Sequence, residues 1–217
     1  MKKRIAFTLV LSVLFAALAH AQTADLLGAV ISGTVQDVRA ALDSGADVNL
    51  HQGDTGMTAL IAAVKYNQEV IALLLAAGAD VNAKDTQYDG TALMWAAYTA
   101  SASDVIMALL KAGADIGAKD NRGMTALMWA ATHNLNPEVT DTLLKNGADI
   151  KARDNGGATA LTAAAKGNCP EVVMLLLNAG ADARSKDSIG NTALSYAKYN
   201  SSLSGTDALE RLEKATK

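Results

Sequence analysis

The chain has 217 residues, of which half are hydrophobic but only 4% aromatic, and its formal net charge at pH 7 is −3. The acidic balance argues against nucleic acid as a general partner, because phosphate binding requires a basic surface. Cys169 is the only cysteine, which excludes a disulfide within the chain.

The first residues predict a cleaved signal peptide. Lys2, Lys3 and Arg4 precede the mostly apolar segment 5–18, and Ala19-His20-Ala21 then favours signal-peptidase cleavage before Gln22. A helix over the apolar segment would be about 21 Å long, too short for a hydrocarbon core of about 30 Å; a buried core helix is the alternative. We therefore expect removal of residues 1–21, a single exported domain at 22–217 and no stable membrane insertion. That domain would carry 16 basic against 22 acidic side chains.

Two phrases recur in register along the rest of the chain. Thr-Ala-Leu begins at Thr58, Thr91, Thr125, Thr159 and Thr192. Gly-Ala-Asp begins at Gly45, Gly78, Gly113, Gly147 and Gly180. A period of 33 to 35 residues predicts a stacked solenoid, in which each unit buries its apolar face against its neighbours.

Each unit is predicted to contain two helices and an extended polar excursion. Pro137 and Pro170 stand where a second helix would begin, a position that favours proline. Val172, Leu175 and Leu176 have the spacing of a helical stripe, and the glycine of each Gly-Ala-Asp is placed as a left-handed helix cap. The fold class is therefore an all-α repeat solenoid.

Both ends of this region look like caps. Residues 25–47 lack Thr-Ala-Leu but retain two short helical patterns and Gly-Ala-Asp. The last copy ends with Leu209 and Leu212 among charged residues. Such charges suit an outward face that no further unit covers.

The two phrases resemble the ankyrin repeat over residues 24–214. Its motif Thr-Pro-Leu-His-x-Ala-Ala is similar to residues 91–97, and its Gly-Ala-Asp-Val-Asn-Ala to residues 78–83. The resemblance implies about six ankyrin repeats, including degenerate terminal caps, each a helix-turn-helix with a β-hairpin-like finger. Their approximate bounds are 22–53, 54–86, 87–119, 120–153, 154–186 and 187–217.

The chain departs from the family motif at two positions. Alanine replaces the proline in all five copies. The family's histidine, which helps to join neighbouring repeats by hydrogen bonds, is replaced by Ile61, Met94, Met128, Thr162 and Ser195. How these repeats are joined is therefore left open.

No pattern predicts an enzyme, a metal or a cofactor. His51 and His133 fall in different repeats, and Cys169 has no histidine nearby in sequence, so an idle thiol is favoured over a nucleophile. Trp95 and Trp129 share one repeat position and suggest a stacked pair, which we expect to pack in the core. A ligand platform is the alternative interpretation of this pair.

Two sets of residues are candidates for partner binding. The first is a ladder of cations, each followed by an aspartate; it is either a row of solvated charges or a contact for an acidic partner. The ladder comprises Lys84, Lys119, Arg153 and Lys186. The second set follows the first helices, where a binding solenoid places variable, often aromatic contacts. It comprises Tyr66, Tyr98, His133, Lys166 and Tyr199.

The resemblance implies a function as well as a fold. The chain is similar to the small periplasmic ankyrin proteins of bacteria, some of which are associated with oxidative-stress protection through a partner such as catalase. We therefore expect a monomeric, non-enzymatic module that binds another protein through its concave, finger-bearing face. The alternatives are a secreted effector or immunity-type protein that binds a foreign target, and an enzyme.

Overall fold

The structure of the chain is a computed structural model that describes residues 25–99, 103–167 and 170–217. The predicted signal peptide and Cys169 lie outside the described residues. The helices, named here in chain order, are α1 Leu26–Ser32, α2 Val35–Asp43, α3 Ala59–Tyr66, α4 Ile71–Ala76, α5 Ala92–Tyr98, α6 Ser103–Lys111, α7 Ala126–His133, α8 Pro137–Lys145, α9 Ala160–Gly167, α10 Pro170–Asn178, α11 Ala193–Ala197 and α12 Asp207–Thr216. Short 3₁₀ turns occupy Gln68–Val70 and Ser201–Leu203.

The helices form two rows. The odd-numbered helices, here called the first helices, each pack against the next one from α1 to α11. Among the even-numbered second helices, α6, α8, α10 and α12 pack in the same sequential way. This arrangement is a helical repeat solenoid, and no described helix is both long and apolar enough to cross a bilayer.

The repeated phrases mark the ends of the helices. The side chains of Thr58 and Thr91 accept hydrogen bonds from the backbone N–H groups of Ile61 and Met94, both at 3.4 Å, so these threonines cap the N-termini of α3 and α5. At the other end of the unit, Gly78 has a φ of 87°. A side chain is disfavoured in that left-handed conformation, which explains the glycine after each second helix.

The core lies between the two rows. The leucine of Thr-Ala-Leu is buried in α3, α5, α7 and α9, and one leucine of each facing second helix is fully buried opposite. The first group is Leu60, Leu93, Leu127 and Leu161, and the second is Leu74, Leu109, Leu143 and Leu176. Each buried leucine contributes about 1.5–3 kcal/mol relative to an exposed one. The alanines of the first helices let their neighbours approach closely.

The polar excursions between the helix pairs are tight turns, called finger turns here. Among the described residues, β-pairing is limited to isolated antiparallel bridges at Gln52–Met57 and Lys84–Thr91. The turn from Asp85 to Gly90 closes with a 3.0 Å backbone hydrogen bond. It has one residue more than the next turn, which closes between Asp120 and Met124.

The missing family histidines are replaced by apolar packing and by hydrogen bonds at other positions. Ile61, Met94 and Met128 are buried. Asn82 instead joins neighbouring repeats, because its amide donates to the Gly113 carbonyl at 3.2 Å and accepts from the Asp115 N–H at 2.8 Å. Asn49 makes the equivalent pair of bonds one repeat earlier. A polar network therefore exists, carried by the segments that follow the second helices.

Candidate interaction surface

The cations of the predicted ladder connect successive finger turns. The ammonium of Lys84 donates to the backbone carbonyl of Lys119 at 2.7 Å, and the ammonium of Lys119 donates to that of Arg153 at 2.9 Å. Arg153 Nη1 continues the row to the carbonyl of Lys186 at 2.7 Å. All four side chains are exposed, but three of them also hold the next repeat.

The aspartates that follow these cations fix the finger turns. Asp120 Oδ1 accepts from the N–H groups of Arg122 and Met124 at 2.9 and 2.8 Å, and its Oδ2 accepts from Trp129 Nε1 at 2.9 Å. Asp85 makes the equivalent contact with Trp95 Nε1 at 2.7 Å. Both aspartates are buried, so they are structural groups rather than solvated charges.

In the last repeat, a tyrosine hydroxyl takes the place of the tryptophan indole as the hydrogen-bond donor to the aspartate. The phenol of Tyr196 donates to Asp187 Oδ2 at 2.5 Å. This bond is the main reason that the pKa of Asp187 lies below its ordinary value, with backbone N–H donors and Lys166 adding smaller effects. The ammonium of Lys166 lies 4.3 Å from the centre of the Tyr196 ring, a cation–π distance.

The two tryptophans meet edge to face. Their ring centroids are 5.2 Å apart with an interplanar angle of 76°, so the expected stacked arrangement is wrong. Edge-to-face pairs are preferred because the positive ring edge meets the negative ring face. Trp129 is buried, as expected for core packing, whereas Trp95 is only partly buried.

The tryptophans form the floor of a hollow on the side of the first helices and finger turns. This aromatic hollow has a volume of about 230 Å³ and is lined by Tyr88, Trp95, Tyr98, Arg122, Trp129 and His133. The Tyr98 and His133 rings lie 4.9 Å apart at its edge. The finger turns supply Tyr88 and Arg122, and α5 and α7 supply the other four residues.

Cations flank this hollow. The ammonium of Lys65 lies 3.9 Å from the centre of the Trp95 ring. The Arg122 side chain is 57% exposed, and its Nε lies 3.6 Å from Asp120 Oδ2. Burial, and secondarily the charge of Arg122, lowers the pKa of His133 below 6.5, so this ring is neutral at pH 7.

The structure joins only some of the predicted contact residues. Tyr98 and His133 line the aromatic hollow, and the ladder cations are linked through the backbone. Tyr66 lies beside Lys65, with the ammonium 5.5 Å from its ring centre, while Tyr199 is 93% exposed near the C-terminal end of the row. Sequence reasoning missed Tyr88 and Arg122, although the longer finger turn and its tyrosine were visible signals.

A larger hollow of about 910 Å³ lies on the other row, between α8, α10 and α12. Its apolar lining includes Leu144, Met174 and Leu175. Its rim carries Asp141, which is paired with Lys145 at 2.6 Å. Among the described residues, no group of three or more His, Cys, Asp or Glu side chains is placed to hold a metal ion.

The two helix rows and the connected finger turns define a repeat solenoid whose exposed side chains offer an extended surface. The family model for ankyrin repeats matches the chain three times, over residues 21–85, 84–154 and 127–212. The chain therefore belongs to the ankyrin-repeat family. Ankyrin repeats are generally protein–protein interaction modules and are typically not enzymes. No curated protein matches the chain.

Proposed function

We propose that this chain is a non-enzymatic protein-binding module of the bacterial periplasm, which acts after cleavage before Gln22. Its partner binds the concave side formed by the first helices and finger turns. In this proposal the six successive helix pairs of the described residues are six ankyrin repeats, the first and last serving as caps.

The observation that carries the proposal is the row of exposed tyrosines on a fixed frame. Tyr66, Tyr98 and Tyr199 are 54%, 43% and 93% exposed at or just beyond the ends of α3, α5 and α11. Tyrosine contributes strongly at interfaces at a small cost in conformational entropy. A standard interface needs about 800 Å² from each partner, which several stacked repeats supply together.

The partner is proposed to present an acidic surface. The proposed contact residues are the three tyrosines, His133 and the cations Lys84, Lys119, Arg153, Lys166 and Lys186, and none of them is acidic. Opposite charge speeds association and favours a matching partner. A periplasmic stress enzyme such as catalase is the partner class that the small periplasmic ankyrin proteins suggest.

Capture from periplasmic extract tests this function. The purified chain 22–217 should retain a specific protein, identified by mass spectrometry. Reversing Lys119 and Arg153 to Glu should slow association with an acidic partner and change its salt dependence. Because both side chains also hold the next finger turn, Lys119→Met with Arg153→Met is the matched control: it loses the same backbone bonds without adding negative charge.

The variants distinguish binding by the finger-turn side from binding by the side of the second helices. Equal binding by the Glu and Met double variants would remove the charge contribution of the ladder. Changing Lys111 and Lys145 to Glu, in the second helices, should matter less; loss of binding only in those variants would move the site to the opposite row. Failure of the purified chain 22–217 to capture any protein would refute the proposed function. A full-length chain that remains unprocessed from Met1 in the cytosol would refute the proposed location.

A further inference from the structure

We propose that the aromatic hollow receives one aromatic side chain of the partner, with the carboxylate of a neighbouring partner residue beside it. The hollow lies between the two middle first helices, α5 and α7, and the finger turns that precede them. This inference rests on the protein-binding function proposed above and specifies the chemistry of the group that is bound.

The size of the hollow favours a single side chain. Its volume of about 230 Å³ is below the range of about 300–1,000 Å³ that is usual for small-molecule and cofactor pockets. The hollow is also confined to two repeats, because alanines occupy the tryptophan position in the repeats on either side. These are Ala62 and Ala163, both buried.

The walls favour an aromatic ring. Tyr88 and Tyr98 approach Trp129 edge to face, with centroid distances of 6.4 and 6.0 Å. Tyr98 meets Trp95 in the same way at 5.8 Å. An incoming ring would extend this packing at distances that aromatic pairs prefer. Tyr98 is 43% exposed, so part of the wall is open to a partner.

The charges favour an anion beside that ring. The negative groups under the hollow, Asp85 and Asp120, are buried and already accept hydrogen bonds from the two indoles. The charged side chain that lines the hollow is Arg122; it is largely exposed, and its 3.6 Å contact with Asp120 is longer than a hydrogen bond.

A cationic ligand is disfavoured by the chain's own lysine. Aromatic cages commonly bind ammonium groups over a ring face. Here the ammonium of Lys65 already lies 3.9 Å from the centre of the Trp95 ring. A second cation would meet both Lys65 and Arg122, whereas a carboxylate would be attracted to them.

Intrinsic fluorescence tests the proposal, because the two tryptophans of the chain both line the hollow. The probes are 3-phenylpropionate and 3-phenylpropylamine, which share a ring and chain but differ in charge. We expect a saturable change with the carboxylate at millimolar concentration and binding of the amine at least about threefold weaker, the scale of an exposed charge contact. Arg122→Gln should reduce this preference, the remainder being due to Lys65, and Tyr98→Leu should weaken the binding of both probes.

Two exposed residues outside the hollow give matched controls: Lys151→Gln for the charge and Tyr199→Leu for the ring. Neither should change probe binding. Equal or tighter binding of the amine would overturn the assignment in favour of a cation cage. No saturable response to either probe, or identical responses in the Arg122→Gln and Lys151→Gln variants, would overturn it altogether. Those results would leave protein capture intact, whereas failed capture by the wild type would count against the proposed function itself.

Discussion

An aspartate follows each cation of the ladder, and the residues packed around it decide whether it is buried or partly exposed. Asp120 is buried because Trp129 covers it and donates to it at 2.9 Å. Asp154 occupies the same repeat position and makes the same turn bonds to the N–H groups of Gly156 and Ala158. Because position 163 is alanine rather than tryptophan, Asp154 is only partly buried. The presence of tryptophan at this repeat position therefore decides whether the turn-forming aspartate is buried.

Removing the Asp120 carboxylate should therefore destabilise the fold strongly. Asp120→Ala leaves a buried indole N–H and two backbone N–H groups without their acceptor, at a cost of about 3 kcal/mol. Asp154→Ala is the matched control and should cost about 1 kcal/mol, since no indole depends on it. Urea unfolding of both variants measures the difference. Equal losses would mean that the indole bond contributes nothing to stability.

The Tyr196–Asp187 hydrogen bond should make stability depend on pH in acid. The bond lowers the pKa of Asp187 in the folded state below its ordinary value of 3.8. Its contribution is therefore fully present well above pH 3.8 and is lost as the pH falls through the lowered folded-state pKa. Tyr196→Phe removes the main cause of the shift.

We expect the wild type to exceed Tyr196→Phe in melting temperature near neutral pH, and the gap to shrink in acid below pH 3.8. Melting curves across this range provide the measurement. Tyr199→Phe is the control, because that side chain is 93% exposed and should behave like the wild type throughout. A gap that stays constant with pH would contradict this account.

At the scale of elements, the second helices share a buried position that is apolar in α4, α6 and α10 but is occupied by threonine in α8. The position seven residues before each helix-capping glycine is fully or almost fully buried. It holds Ile71, Ile106, Thr140 and Val173. The Thr140 hydroxyl in α8 has no hydrogen-bond partner among the described residues. A buried hydroxyl without a partner costs free energy that a methyl group does not.

Thr140→Val should stabilise the protein. The substitution keeps the branched shape and removes the unpaired hydroxyl, so we expect a gain of about 1 kcal/mol in the free energy of unfolding. The reverse change at the equivalent site, Val173→Thr in α10, should destabilise by a similar amount. Denaturant unfolding measures the stability change of both variants, provided that the slope of the unfolding free energy against denaturant concentration does not change. A neutral or destabilising Thr140→Val would show that the hydroxyl is satisfied, for example by bound water.

At the scale of the whole molecule, stability comes from contacts between neighbours. Each first helix packs on the next, and α12 closes the C-terminal end against α10 and α11. Ala208 and Leu212 are buried in this contact, whereas Glu213 and Lys214 are exposed. The charged side of α12 is thus exposed to solvent, and its role as a terminal cap stays a prediction.

Deleting residues 193–217 should expose the apolar side of α9 and α10 and promote aggregation. A smaller change, Leu212→Asp, should lower the melting temperature because it buries a charge at the same contact. Lys214→Ala on the exposed side serves as the control and should have little effect. Light scattering and thermal unfolding test the set. A truncated chain that stays monomeric with an unchanged melting temperature would show that these residues do not act as a cap.

The sequence by itself determined the repeat, the helical solenoid and the ends of many helices. Threonine caps, prolines at helix starts and left-handed glycines act within a few residues, so their effect can be read locally. The period then placed the buried leucines of both rows in register.

Only the tertiary structure decided how neighbouring repeats touch. Three contacts depend on the stacking distance between repeats and on the length of the finger turns. They are the row of Lys84, Lys119 and Arg153, the indole hydrogen bonds to Asp85 and Asp120, and the edge-to-face pair of tryptophans. Tyr88 and Arg122 reach the aromatic hollow because successive finger turns lie side by side, although 34 residues separate them in the chain. Local propensity carries no information on such contacts, and for this reason the hollow was not predicted from the sequence.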